Sequence, residues 1–221
     1  MSGHEMITTL KNSRLFRGLD GEELARICDA VKPVEKEYSK NQIMINQGEP
    51  VKRIGVLKRG SVISVKYHFE GDTQLLRIYR QGEVFLLDVV NTTLSTSPST
   101  LISQTDSAVI FIPYLKLLET DSVGDRIKET IMANCSAILS NELIRLMYKI
   151  DVLSKRTLKE RVMTYLSLIR EKSGDGAFDI GMNQEQFAQY LCVNRSVLSN
   201  ELNKMRKAGL IDYKGSLFTL L

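Results

Sequence analysis

Between Asp125 and Leu153 the chain contains neither proline nor glycine, and that stretch limits what the rest can be. Its apolar residues fall on two lines. Met132, Cys135, Leu139, Leu143, Leu146, Ile150 and Leu153 recur every three or four residues, close to a heptad seam. Ile127, Ile131, Ile138 and Ile144 form the second line. A long helix with two apolar lines has two surfaces to bury. Either both pack within the chain, or one packs there and the other meets a twin helix in a dimer. The seam favours the dimer.

The segments on either side are unlike each other. Gly21 to Val31 reads as a helix, with Leu24, Ile27, Cys28 and Val31 at helical spacing and Pro33 as a stop. From Val34 to Ile112, short β-rich runs alternate with glycine turns. The runs are 42–45, 54–57, 61–67, 74–79 and 108–112, and the turns fall at Gly48, Gly60, Gly71 and Gly82. Such regular short strands predict an antiparallel roll or barrel. Residues 91–100, rich in Ser and Thr with Pro98, read as a loop. After Lys155, the residues Leu158, Val162, Tyr165, Leu166 and Ile169 mark a helix closed by 173–176. Two more helices flank a tight turn, and two short strands surround Gly215. The expected class is α+β. The expected divisions are a β-roll sensor domain with N-terminal helices at 1–124, a long dimerisation helix at 125–153, and a winged helix-turn-helix at 154–221.

Charge separates the same regions. Residues 154–221 hold 11 Lys and Arg against 7 Asp and Glu, whereas residues 1–153 are balanced at 19 and 19. The whole net charge of +4 therefore sits in the last third, as expected of a part that meets a polyanion. At 43% hydrophobic residues the chain can build a core, and no apolar run approaches the ~20 residues of a membrane span. The opening Met1-Ser2-Gly3-His4-Glu5 lacks the basic and apolar regions of a secretory signal, so a cytoplasmic location is expected. Cys28, Cys135 and Cys192 are scattered, and His4 and His68 are the two histidines, so no paired zinc motif or His-rich metal site is expected. There is no P-loop, no Gly-x-Gly-x-x-Gly, no His-Glu pair and no nucleophile elbow, which argues against an enzyme.

The stretch 183–206 carries the function. Asn183 can cap one helix, with Gln186 completing a capping box, and Phe187, Ala188 and Leu191 form its inner face. Cys192 and Val193 occupy the turn. Asn194 is expected to cap a second helix, whose Leu198, Leu202 and Met205 point inward while Arg195, Ser196, Ser199, Asn200 and Lys204 line the other face. This is a helix-turn-helix layout with a second helix of the size that enters a major groove. Arg195 can present its fork to guanine O6 and N7, and Asn200 can pair with adenine or hold a phosphate. The following 210–220 reads as a hairpin wing with Lys214 near its tip.

From Phe16 onward the chain resembles the catabolite activator protein/FNR (Crp/Fnr) superfamily of bacterial transcription regulators. The run from Ile45 through Gly48, Ile54 and Gly60 to Val62 is similar to the cyclic-nucleotide-binding-type β-roll signature, and 194–202 is similar to the recognition helix. The resemblance implies a homodimer joined along the long helix, a pseudo-palindromic site on double-stranded DNA, and RNA polymerase as a partner. It places Arg195, Ser196 and Asn200 at the main base-reading positions. Ser196 and Asn200 differ from the glutamate and arginine of cyclic-AMP-responsive members, so a different target sequence is expected.

The effector site departs from the family pattern. Alignment puts Leu86, Leu87 and Asp88 around the expected Gly-Glu pair, and Ser97 and Pro98 where an Arg-Ser pair should grip phosphate, with Ser99 in the same candidate pocket. No arginine occurs between Arg80 and Arg126. Leu146 and Met147 fall where the base would be met. A buried phosphate without a cation is poorly stabilised. Cyclic AMP is therefore not the expected effector, and a small apolar or carboxylated metabolite is. Three scattered cysteines do not supply the four of the iron–sulfur members, and His68 beside a hairpin tip is expected to be solvated rather than a haem ligand. Two rival readings stand beside this one: a regulator without ligand, whose roll is a scaffold, and a cyclic-nucleotide-type regulatory subunit of an enzyme. The wing and helix-turn-helix argue against the second.

Overall fold

The computed structural model describes residues 3–68, 73–174 and 176–221. The expected turn at 70–72 and Asp175 of the expected helix stop lie outside the described residues. The elements run α1 (Gly3–Lys11), α2 (Gly21–Val31), β1 (Val34–Tyr38), β2 (Ile43–Ile45), β3 (Ile54–Arg59), β4 (Val62–Tyr67), β5 (Thr73–Tyr79), β6 (Val84–Phe85), α3 (Leu87–Val90), β7 (Thr100–Ser103), β8 (Ser107–Ile112), α4 (Tyr114–Glu119) and α5 (Asp125–Ser154). Then come α6 (Leu158–Ser173), β9 (Phe178–Asp179), α7 (Gln184–Tyr190), α8 (Arg195–Lys207), β10 (Ile211–Lys214) and β11 (Leu217–Leu220). The chain divides into two compact units, Met1–Asp72 with Leu76–Glu142, and Thr73–Leu75 with Leu143–Leu221. The long helix is thus not a body of its own: the division falls inside it.

In the first unit the strands form two four-stranded sheets, ordered β1-β8-β3-β6 and β2-β7-β4-β5. The expected antiparallel roll is present. β8 lies between β1 and β3 and is buried along its whole length, and after Ser107 it reads as an apolar run without alternation. Gly55 has a local reason: the Phe85 ring lies over it, and any side chain there would collide with that ring. Gly60 sits at φ +87° against Asp106 and Ser107, so its turn needs glycine twice over. α2 starts at an Asp20–Glu23 capping box and buries Leu24, Ile27 and Val31, the stripe read from the sequence.

The first part of α5 belongs to this core. Ile127, Ile131 and Cys135 join the buried cluster, with Ile138 and Leu139 packed partly against it. Asn134 Nδ2 donates to Leu15 O at 3.0 Å and to Arg17 O at 2.8 Å, and Arg126 pairs with Glu23. Arg77 of β5 pairs with Glu83 at 2.9 Å and also with Glu142 of α5. Cys135 lies on the seam line but turns inward. It is 7% exposed and faces the core, because it lies four residues on from Ile131, on the same side of the helix. Leu139 follows it and is half-buried, whereas Ile144 of the other line is exposed.

Candidate nucleic-acid interface

The second unit is built around α7 and α8. Asn183 Oδ1 accepts from Gln186 N at 2.9 Å, and Gln186 Oε1 accepts from Asn183 N at 3.0 Å, so the expected capping box is formed. Phe187, Ala188 and Leu191 are buried, as are Leu198, Leu202 and Met205 of α8, on which α7 packs. The turn closes through Val193 N donating to Ala188 O at 3.0 Å, which puts Cys192 at φ +56°, a left-handed conformation disfavoured for a residue with a side chain. Arg161 of α6 braces this turn: Nη1 donates to Leu191 O at 3.4 Å and Nε to Lys155 O at 3.1 Å. Asn194 stands at the N-cap of α8 but its side chain makes no capping bond, contrary to the sequence expectation.

The wing is three-stranded, in the order β10-β11-β9. β9 was not legible from the sequence because two residues show no periodicity. The Tyr213 ring stacks on Phe218 at 5.3 Å, and Phe218 meets Phe187 edge-on at 6.0 Å. Side chains tie the wing to α8. Arg206 pairs with Asp212 at 2.8 Å, and the Tyr213 hydroxyl donates to Asn203 Oδ1 at 3.2 Å. Lys214 is exposed at the end of β10, beside Gly215 at φ +64°.

On α8 the structure exposes Arg195, Ser196, Asn200 and Lys204, and half-buries Ser199. The same side also exposes Val197, Asn203 and Lys207, which the sequence pattern alone does not single out. Counting 100° per residue from the buried Leu198, Leu202 and Met205 finds them. Lys204 lies 3.9 Å from Glu201 and is otherwise in solvent. The arrangement offers a guanidinium and two short polar side chains on the first two turns, with ammonium groups further along. That is a chemistry for base edges first and phosphates second.

The sequence pattern does not single out Lys149, a charged residue buried in this unit. Lys149 of α5 is 5% exposed. Its Nζ donates to Leu75 O at 2.6 Å and sits 4.4 Å from the centre of the Tyr190 ring. Burial pushes its ammonium down to about 8, with Cys192 opposing that and Arg145 adding to it. Burial likewise pushes the Tyr190 hydroxyl up to about 12.

The expected effector-pocket residues fall in both units. Leu86, Leu87, Ser97 and Ser99 are buried in the first unit, and Asp88 is exposed. Leu146 and Met147 are exposed on α5 and belong to the second unit. The buried serines turn on their neighbours: Ser97 Oγ donates to Ser99 O at 2.7 Å, and the Ser99 and Ser64 hydroxyls lie 2.8 Å apart. No arginine or lysine lies in residues 81–115, the stretch that would hold a cyclic phosphate.

Comparison with known proteins agrees with the geometry of both units. The cyclic nucleotide-binding domain family matches residues 35–120, and the Crp-like helix-turn-helix domain family matches residues 160–221. The chain belongs to the Crp/Fnr family. It is 24% identical over 202 residues to electron transport regulator A of Shewanella oneidensis, covering 89% of this chain and 78% of that protein. It is 22% identical over 205 residues to the fumarate and nitrate reduction regulatory protein of Vibrio cholerae, covering 90% and 78%. Among solved structures, a CooA variant from Carboxydothermus hydrogenoformans superposes with a TM-score of 0.73 at 18% identity, over 97% of this chain and 90% of that one. The c-di-GMP-responsive regulator CLP of Xanthomonas campestris gives 0.72 at 18% identity, over 91% and 99%. This Crp/Fnr-type chain is a transcription regulator with a DNA-binding helix-turn-helix. Among the described residues, no helix is long and apolar enough to cross a membrane.

Proposed function

We propose that the protein is a cytoplasmic, homodimeric regulator that reads a pseudo-palindromic duplex through α8, is gated by a small effector other than cyclic AMP, and acts on RNA polymerase. The observation that carries the reading is the exposed start of α8, where Arg195, Ser196 and Asn200 stand together above a buried apolar face. Ser199, Lys204 and Lys214 supply backbone contacts around them. The dimer rests on α5: Leu143, Leu146, Met147 and Ile150 are all exposed, at the i, i+3, i+4, i+7 spacing of one helix face. A free chain gains nothing from holding that row in water, and a twin helix covers it. A second reading, in which the roll is only a scaffold and activation surface, draws on the serines at 64, 97 and 99, which already satisfy one another.

Titrating cyclic AMP into the protein by calorimetry, with and without duplexes selected from random DNA, tests this function. The expected result is sequence-selective DNA binding that cyclic AMP leaves unchanged, with no nucleotide binding at micromolar concentration. Micromolar binding that raises DNA affinity overturns the effector assignment. The absence of any sequence preference overturns the DNA-reading assignment.

A further inference from the structure

We propose that Val197 is a specificity-determining residue that recognises the 5-methyl group of a thymine in the major groove; the proposal rests on α8 being the DNA-reading helix. The other apolar side chains of α8, Leu198, Leu202 and Met205, are buried, whereas Val197 is 50% exposed. It is the third residue of the helix, in the first turn, the part of a recognition helix that comes nearest to base edges. Asn200 and Lys204 follow it at i+3 and i+7, so all three share one side of the helix, and all three are exposed.

The choice of residue and its surroundings narrow the partner. A β-branched side chain at an exposed helical position lowers helix propensity and gains little from burial in the free protein. Its neighbours on the exposed side are Ser196, Asn200 and Lys204, with Arg195 beside them at the helix start. A lone valine among polar and cationic groups is not the contiguous apolar patch that a protein partner needs. It matches one small apolar group presented among acceptors and phosphates. In the major groove that group is the thymine methyl. Ser196 and Asn200 would then read polar edges while Val197 distinguishes thymine from cytosine at an adjacent position.

The test uses the intact protein and a duplex site selected by it from random DNA. Each thymine is replaced in turn by deoxyuridine, which removes the methyl group alone, and affinity is read by fluorescence anisotropy for the parent, Val197→Ala and Val197→Thr. One thymine position per half-site is expected to weaken the parent about fourfold when demethylated, the value of one buried methyl group. Val197→Ala, which is expected to fold because the position is exposed, should bind the thymine and deoxyuridine versions of that position alike. Val197→Thr, which keeps one γ-methyl, should retain part of the difference. If demethylation at no position weakens the parent, or if the loss is the same in Val197→Ala, the proposal is overturned while the DNA-reading role of α8 stands. If random DNA yields no preferred site, that role falls and this proposal with it.

Discussion

Arg195 and Lys204 are both exposed on α8, and they should meet DNA in different ways. Arg195 is the first residue of the helix and its guanidinium fork suits guanine O6 and N7. Arg195→Ala should cost about 1–3 kcal/mol per half-site and relax preference at one base pair. Lys204 lies more than two turns further on and faces solvent. Lys204→Ala should weaken binding to all sequences and reduce the salt slope by about one unit for each phosphate left without its ammonium. Salt titrations combined with site selection separate the two, and an unchanged selected base pair for Arg195→Ala would contradict the reading role. At this scale, what the sequence shows well is local chemistry. The Asn183–Gln186 box needs only residues three apart, and it forms as read. Side-chain direction is harder to read. Asn194 has the right type for a cap yet makes no such bond, and the exposure of Val197 emerges only once the buried side of α8 is known.

At the scale of elements, α5 shows why periodicity locates a helix but not the partner of each face. Its bounds were legible to within a residue, because Asp125 to Leu153 has no breaker. Cys135 and Leu139 fit the heptad spacing, yet the helix turns them toward the first unit's core beside Ile131. The useful dimer substitutions are therefore Leu143→Glu and Leu146→Glu, at exposed positions, rather than any change at Leu139. The double variant should run as a monomer by light scattering, since a dimer would bury two unpaired charges per chain; an unchanged mass would contradict the proposed dimer. Strands were legible where they alternate or run apolar. β1, with the charged sequence of residues 34–38, was not, because only its pairing with β8 makes it a strand.

The same helix carries a pH dependence in the second unit. Lys149 is held near 8 when folded, against about 10.4 for a free lysine. Between those values the unfolded chain binds the proton and the folded chain does not, so stability rises as pH rises from about 8 toward 10. The rise is at most about 3 kcal/mol. Above pH 10 Tyr190 opposes it, since the folded state keeps a phenolic proton that the unfolded state loses. Urea midpoints at pH 8 and pH 10 should differ for the parent and much less for Lys149→Met. An equal rise in the variant would mean that another group supplies it.

For the molecule as a whole, charge gave the division of roles before any motif did: the first 153 residues are balanced, and the excess of 4 lies in the part that carries the helix-turn-helix. Fold and family followed from the order of roll, long helix and wing. An effector was not legible, because a site for a small ligand depends on a few side chains brought together from distant segments, and the serines expected here are already hydrogen-bonded to one another. Two copies of α8 are proposed to read one duplex. The most direct measurement is selection of bound sites from random duplex DNA, followed by the mass of the complex on the selected site. The expected result is two inverted half-sites about 34 Å apart, one helical turn, bound by two chains. A single unrepeated site bound by one chain would contradict it.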